Sequence, residues 1–341
     1  MKKAVVTSAV FSALMSGLVS AAEVYSNNGT SLEVGGRMEF RGDFAGKDNG
    51  EKIDGTMQNK SRARLTIQGK TQLSDNLTGF GKYEVEHSVV DAAKKDDGKD
   101  DGTFKQRYMF AGLDTQFGAV SFGKQDTAGV IISQMSDNGQ IYTGAQKEFI
   151  NAGNEQVNNV VKYSGEFIDA LTVEASAILG SGKNENGAGI AAKYTMPFGL
   201  SVGLGFAQNG NGQTNNVDNG NAKQTIAGLG YEIAGLELGA TYTQGDLDDK
   251  QNTKFKGTEL SAAYNIVGGF SVLAAYQNTE KDIVATTEKK KTDFYELTGQ
   301  YKFNSNLRSY LAFKLNNLKK GDNGLNYDAE DSVRLGVRYD F

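Results

Sequence analysis

Residues 333–341, the last nine of the chain, read Val-Arg-Leu-Gly-Val-Arg-Tyr-Asp-Phe. Successive side chains of a β-strand point to opposite faces, so one face of this segment carries five apolar residues, Val333, Leu335, Val337, Tyr339 and Phe341. The other face carries three charged residues, Arg334, Arg338 and Asp340. Charged groups are not buried in a dry core without partners. The segment therefore predicts a strand with apolar surroundings on one side and water on the other.

The composition of the chain limits what such apolar faces can contact. The 341 residues include 43 Gly but only one Pro and one His, and Cys and Trp are absent. Hydrophobic residues make up 38% of the chain, which is few for one globular core of this size. The formal net charge of −5 leaves no basic footprint, so no nucleic-acid partner is expected. Because Cys is absent, the fold cannot depend on disulfides or on thiolate chemistry.

The N-terminus has the features of an export signal. Lys2 and Lys3 precede an apolar, uncharged stretch at 4–19, and Val19-Ser-Ala21 is a small-residue cleavage site. We therefore predict a signal peptide at 1–21 and a mature domain at 22–341. After it, no stretch of ~18 uncharged apolar residues remains, which argues against membrane-spanning helices. The mature protein is therefore expected to leave the cytoplasm.

Alternation of apolar and polar residues recurs along the mature chain. It is clearest at 31–44, where Leu32, Met38 and Phe40 share one face and Arg37 and Glu39 the other. Sixteen such segments are predicted, at 31–44, 58–72, 77–87, 104–113, 118–124, 157–164, 170–180, 188–196, 200–207, 223–232, 236–244, 257–265, 270–277, 292–303, 307–316 and 331–341. Tight turns and long polar loops connect them alternately, as in barrels with short periplasmic turns and long outer loops.

These features together predict a closed, antiparallel, transmembrane β-barrel of sixteen strands. Only a closed sheet satisfies its backbone hydrogen bonds in lipid. A barrel of that strand number is too wide for its own side chains to fill, so it encloses an aqueous channel. The channel explains why every strand can carry charges on its inner face.

Several stretches resemble the general diffusion porins of Gram-negative outer membranes, most closely those of Vibrio-like bacteria. The matching stretches are Ala22-Glu-Val-Tyr25, Ala63-Arg-Leu65, Leu77-Thr-Gly-Phe-Gly81, Arg107-Tyr-Met-Phe-Ala-Gly-Leu113 and Arg338-Tyr-Asp-Phe341. The resemblance spans the mature chain and implies a homotrimer among outer-membrane lipids and lipopolysaccharide. It also implies that the outer-membrane assembly machinery recognises the terminal residues Val337, Tyr339 and Phe341. The implied function is passive diffusion of small hydrophilic solutes and ions.

The resemblance further implies that the third long loop, at 125–156, folds into the barrel and narrows it. Basic residues on the wall would then face an acid on the loop. By position, the constriction maps onto Arg37, Arg64, Lys105, Arg107, Asp137 and Glu84, with Arg62 and Tyr142 as further lining candidates. This chain departs from the family pattern at the loop tip, which reads Asp137-Asn-Gly-Gln-Ile-Tyr142. The usual second loop acid falls on Ile141, and a further wall arginine falls on Gln156.

The sequence leaves the ion preference and two other functions open. Since Glu84 lies on the wall and the mature chain carries a net charge of −7 once Lys2 and Lys3 are removed, we expect a weak cation preference. A substrate-selective channel is the main alternative, with Tyr142 as its aromatic candidate. A barrel enzyme is disfavoured because the only His, His87, ends a strand beside a loop. No metal or other cofactor is expected.

Overall fold

The computed structural model describes residues 21–89, 102–147, 149–250, 253–283 and 288–341, so the predicted signal peptide lies outside the described residues except for Ala21. Sixteen long strands dominate the fold. They are β1 Thr30–Ala45, β2 Arg62–Ser74, β3 Leu77–Ser88, β4 Thr103–Thr115, β5 Gly118–Gln125, β6 Val157–Phe167, β7 Leu171–Ile178, β8 Gly187–Thr195, β9 Leu200–Gly210, β10 Asn221–Ile233, β11 Leu236–Asp248, β12 Thr253–Asn265, β13 Phe270–Ile283, β14 Glu288–Lys302, β15 Leu307–Asn316 and β16 Ser332–Asp340.

The sixteen strands form one closed antiparallel barrel. Each strand pairs with the next along the chain, and β16 returns to pair with β1. Closure leaves no free strand edge, which is the condition for a sheet to cross lipid. In the part of the chain that the structure describes, no helix is long and apolar enough to span a membrane. The predicted fold class is confirmed.

The seam of the barrel contains a short strand that the sequence pattern did not predict. Ala22–Asn27 pairs with the first part of β1, at Thr30–Val34. The second part of β1, from Arg37 to Ala45, pairs with β16. The two chain ends therefore share one side of β1, and together they complete the barrel wall.

All sixteen predicted segments are strands, but their outer ends differ from the prediction. The strands β11 to β14 extend several residues past the predicted limits, so the loops expected at 245–256 and 278–291 are mostly strand. Polar residues occupy both faces of these extensions, for example in Glu288-Lys-Lys-Lys-Thr292. Apolar alternation fades there, because neither face of the strand needs an apolar side chain.

The two faces of the wall differ as the alternation predicts. On β2 and β3, Leu65, Ile67 and Tyr83 are exposed on the outside, whereas Thr66 and Glu84 are covered on the inside. Exposed aromatic residues lie beside the short turns, among them Tyr264, Phe270, Phe303 and Tyr339. The barrel therefore presents an apolar band outward and polar side chains inward, as transmembrane barrels do.

The segment between β5 and β6 folds into the barrel. It contains a four-residue helix, Val130–Ser133, and three 3-10 turns, Gln134–Ser136, Ala145–Lys147 and Asn151–Gly153. Ile132 packs on Ala191 and Ile226, and Ile150 and Ala152 pack against Ala207 and Ala222. Inward-facing glycines leave room for this segment, since a Cβ on Gly203 would lie 2.5 Å from Ile132. We call residues 126–156 the inner loop.

Candidate functional site

A cavity of about 710 Å³ lies between the inner loop and one side of the barrel wall. Most wall residues come from six neighbouring strands, β15, β16 and β1 to β4. The charged lining residues of these six strands are Arg37, Glu39, Arg41, Arg62, Arg64, Lys82, Glu84, Arg107, Arg308 and Arg338. The strands β5 to β8 and β14 contribute Gln125, Lys162, Thr172, Glu174, Lys193 and Gln300. The loop side contributes Gln134, Asp137, Gln140 and Ile141 among others. The cavity is thus a narrow polar passage inside the barrel.

Glu84 is the centre of the ion pairs on the wall. Its carboxylate accepts a hydrogen bond from Arg107 Nε at 2.6 Å and lies 3.3 Å from Arg64 Nη1. Thr66 donates to its other oxygen at 2.9 Å. Arg64 also donates to Glu86 at 2.6 Å, and Arg62 donates to Glu39 at 2.6 Å. These contacts hold the guanidinium groups against the wall and leave little of the Glu84 charge unpaired.

A β-bulge places two consecutive residues of β4 on the inner face. The pairing of β3 with β4 slips between Glu84 and Val85, so that Arg107 has no directly opposed partner. As a result Arg107 and Tyr108 both line the cavity. The strict alternation used in the prediction would have turned Tyr108 outward. A bulge adds one residue to one strand and redirects the side chains beyond it.

The structure brings together most of the residues predicted for the constriction. Arg37, Arg62, Arg64, Arg107, Glu84 and Asp137 line the same cavity. Lys105 lies opposite Glu86 in the β3–β4 register, but it is exposed and is not part of this lining. Tyr142 is also absent from the lining. The Tyr142 ring instead lies 4.3 Å from the guanidinium carbon of Arg334.

The tip of the inner loop is anchored to strand β14. The backbone N–H groups of Ile141 and Tyr142 donate to the two carboxylate oxygens of Glu296 at 2.8 and 2.9 Å. The Tyr142 hydroxyl lies 3.3 Å from the Ser332 hydroxyl. Burial raises the pKa of Tyr142 to about 12, so this hydroxyl stays protonated at neutral pH. Glu296 therefore acts as a clamp for the loop tip.

The base of the inner loop is anchored by a half-buried acid, Asp126. Asp126 accepts hydrogen bonds from the Tyr108 hydroxyl at 3.0 Å and from the Gln156 backbone N–H at 3.0 Å. Burial raises the pKa of Asp126, and the nearby charge of Glu155 acts in the same direction. Lys147 donates to Glu155 at 2.7 Å. Both ends of the loop are thus fixed by polar contacts as well as by apolar packing.

Seven basic lining residues were not among the predicted site residues. Two of them, Arg41 and Arg338, lie on strand faces that the alternation already assigns to the inside. The others that line the cavity wall or the loop base are Lys82, Arg308, Lys147, Lys162 and Lys193. The alternation of inward and outward positions could have identified the strand residues. It could not give the position of each residue along the barrel axis, which depends on strand tilt and register.

The remaining predicted residues lie outside the cavity. Val337 and Tyr339 are exposed on the outer face of β16, and Phe341 follows that strand. The ring of His87 stacks on Phe104 at 4.2 Å between centroids, on the outward side of β3 and β4. Among the described residues, no cluster of His, Asp and Glu has the arrangement of a metal site.

Comparison with known proteins shows which protein family this sequence resembles. The profile of the Gram-negative porin family matches residues 6–321. Outer membrane protein U of Vibrio vulnificus is 31% identical over 366 residues, covering 100% of both chains. The relatives are named as porins and outer membrane proteins rather than as enzymes.

Solved structures share the fold at low sequence identity. The chain of Salmonella typhi OmpF in complex with daunomycin has a TM-score of 0.78 at 18% identity, and the match covers 94% of this chain and 100% of that one. The trimer form of OmpT, an outer membrane protein of Vibrio cholerae, has a TM-score of 0.66 at 18% identity and covers 92% of this chain and 99% of its own. These likenesses establish the barrel architecture.

Proposed function

Because this chain belongs to the family of Gram-negative porins, we propose that it forms a water-filled channel for passive diffusion of small hydrophilic solutes and ions. It is an outer-membrane protein and not an enzyme. The observation that carries the proposal is the cavity between the inner loop and the wall, which charged side chains line from several strands. Charged groups in such numbers are stable inside a barrel only when water solvates them.

The channel would work as a homotrimer surrounded by outer-membrane lipids and lipopolysaccharide. A trimeric form of a protein with the same fold supports this assembly. The apolar outer face of the barrel fits lipid contact. Val337, Tyr339 and Phe341 would serve the assembly machinery, since they form the exposed apolar end of the last strand.

The weak cation preference expected from the sequence rested on Glu84 and on the net charge of the chain. In the structure Glu84 is held by Arg64 and Arg107, so its charge is balanced on the wall. The electrostatic effect of charges on the outer surface is largely screened beyond about 10 Å at 0.1 M salt, so these charges have little effect on ions inside the channel. The ion preference is therefore set by the lining of the narrow part. That lining does not support a preference for cations.

Three aromatic residues line the cavity, Tyr108, Phe110 and Tyr310, but Phe110 and Tyr310 are buried, so the lining that the structure describes presents no aromatic ladder to a solute. Tyr142, the aromatic residue that kept a substrate-selective channel open as an alternative, contacts Arg334 and not the cavity. We therefore favour general diffusion. Solutes would pass according to their size and charge.

Liposome swelling with uncharged sugars tests the proposed function directly. Purified protein in liposomes should admit a monosaccharide faster than a disaccharide, and both faster than protein-free liposomes. Sugar uptake is independent of ion preference because the solutes carry no charge. Swelling no faster than in protein-free liposomes would contradict a diffusion channel.

A further inference from the structure

The inner wall places like charges directly opposite each other on neighbouring strands. Arg37 of β1 lies opposite Arg64 of β2, and Arg308 of β15 lies opposite Arg338 of β16. All four side chains line the cavity. Like charges in directly opposed positions destabilise a sheet. An arrangement that works against folding at two places on one wall points to a function in the channel.

The carboxylates on this wall are too few to balance its basic residues. Eight basic side chains line the cavity on the six strands, and four carboxylates lie within ion-pair distance of them, Glu39, Glu84, Glu86 and Asp340. Asp340 alone serves both Arg308 and Arg338, at 2.9 and 2.6 Å. The wall therefore carries an excess of positive charge.

Two of the guanidinium groups have hydrogen-bond donors without partners. The Nε atoms of Arg37 and Arg41 are buried and unbonded in the part of the chain that the structure describes. Within the same part, Arg41 has no carboxylate at ion-pair distance, and Arg37 has only Glu86 at 3.6 Å. A buried donor without a partner is unfavourable. Both side chains line the cavity, so their positive charges act on the channel water with little compensation from nearby carboxylates.

The opposite side of the passage does not restore the balance. On the tip of the inner loop, Asp137 is the acid that lines the cavity, and its neighbours Gln140 and Ile141 are uncharged. Over the whole lining, eleven side chains are basic and six are acidic. Electrostatic potential in a narrow passage follows the sign of its lining, because low-dielectric walls concentrate the field.

We propose that this channel prefers anions, and that Arg37 and Arg41 form its anion-binding row together with Arg338, which shares its carboxylate partner Asp340 with Arg308. The inference rests on the proposed diffusion function and names the solute class that it favours. Arg37, Glu39 and Arg41 lie on the same face of β1. On the neighbouring strand β16, Arg338 lies directly opposite Glu39. Guanidinium groups match oxyanions geometrically. The preferred solutes are therefore small anions with carboxylate or phosphate groups.

The zero-current potential in a KCl gradient across a planar bilayer of neutral lipid measures this preference. The wild-type channel should show a chloride-to-potassium permeability ratio above 1. Replacing Arg41→Gln removes one unpaired charge, which lowers local chloride about twofold and raises local potassium by a similar factor at about 0.1 M salt. Arg41→Lys keeps the charge and should keep the ratio. The exposed outer-loop variant Lys320→Gln should also leave it unchanged.

Two further measurements separate the row from a general charge effect. Asp137→Asn removes the opposing loop acid and should raise the permeability ratio. Inorganic phosphate added to the KCl solution should reduce the wild-type chloride conductance, and it should do so less in Arg41→Gln. A channel that conducts and prefers potassium would overturn the inference and leave diffusion intact. A protein that conducts no ions would instead overturn the proposed function.

Discussion

Gly36 and Phe341 exchange two backbone hydrogen bonds, from Gly36 N to Phe341 O at 2.8 Å and from Phe341 N to Gly36 O at 3.1 Å. This reciprocal pair joins the last residue of the chain to the first barrel strand. It lies where the short N-terminal strand and β16 meet along β1. A Cβ on Gly36 would lie 2.9 Å from the Phe341 ring and 2.2 Å from the Arg64 carbonyl oxygen. Only a glycine allows this close packing at the seam.

The seam predicts that barrel assembly depends on both residues. Deletion of Phe341 should lower the amount of heat-modifiable, membrane-inserted protein, because the seam loses two hydrogen bonds and the covering ring. Gly36→Ala should reduce folded protein as well, since overpacking costs about 1–3 kcal/mol. Gly299→Ala is the matched control, because a Cβ there meets nothing within 4 Å. Wild-type amounts of folded protein in both seam variants would show that closure does not need them.

The facing of β2 predicts how charge affects stability. Leu65 is 38% exposed on the lipid side, so Leu65→Arg should destabilise the barrel by about 2–4 kcal/mol near the bilayer midplane and by less toward its edges. Thr66 faces inward but is fully covered and donates to Glu84, so an Arg there would clash. Thr172 lines the cavity and is the better lumenal control. Urea unfolding in lipid vesicles measures both variants. A larger loss for Thr172→Arg would mean that the inward and outward assignments are wrong.

The two arginines that flank Glu84 predict the size limit of the channel. Arg64→Ala combined with Arg107→Ala removes two long side chains from the cavity wall and leaves Glu84 with only the more distant Lys82, at 3.9 Å, among the described basic residues. Liposomes with this variant should swell faster in a disaccharide relative to a monosaccharide, and the zero-current potential should shift toward cations. The double Lys variant keeps both charges and much of the bulk, so its size limit should stay near that of the wild type. An unchanged sugar ratio in the Ala variant would place the narrowest point elsewhere.

The clamp at Glu296 predicts the stability of the inner loop. Glu296→Ala removes the acceptor for the Ile141 and Tyr142 N–H groups, so the loop tip should leave the wall more often. Current recordings should then show more frequent brief changes in conductance. Glu330, exposed on an outer loop, is the control, and Glu330→Ala should record like the wild type. Equal noise in the wild type and the Glu296 variant would show that other contacts hold the loop.

The sequence predicted the barrel well because lipid imposes a regular requirement on it. Outward positions along the membrane-spanning part of a strand are mostly apolar, so alternation such as Leu65, Thr66 and Ile67 is visible without a structure. The outer strand ends were less predictable since water surrounds both faces there. The sequence pattern did not predict the short strand Ala22–Asn27. This strand has only six residues, and it pairs with only the first part of β1.

The site was less predictable because it depends on register and packing. The bulge at Arg107 moves Tyr108 to the inner face, and the residue types in this part of the sequence do not indicate a bulge. The inner faces of β9 and β10 carried a clearer signal. Their small residues, such as Gly203 and Gly228, leave space that Ile132 and Met135 of the inner loop fill. When the inward-facing residues of a strand are small and uncharged, another segment of the chain is expected to pack on that face.

Single-channel current in a planar bilayer tests the central claim of a water-filled channel most directly. Purified protein should insert in discrete conductance steps, grouped in threes if the trimer is the inserting unit. At about 1 M KCl and above, where the screening length is only about 3 Å, the step size should rise in proportion to the conductivity of the solution, because the ions cross in water. Absence of steps from folded, heat-modifiable protein, with only the drifting current of the detergent control, would contradict the claim.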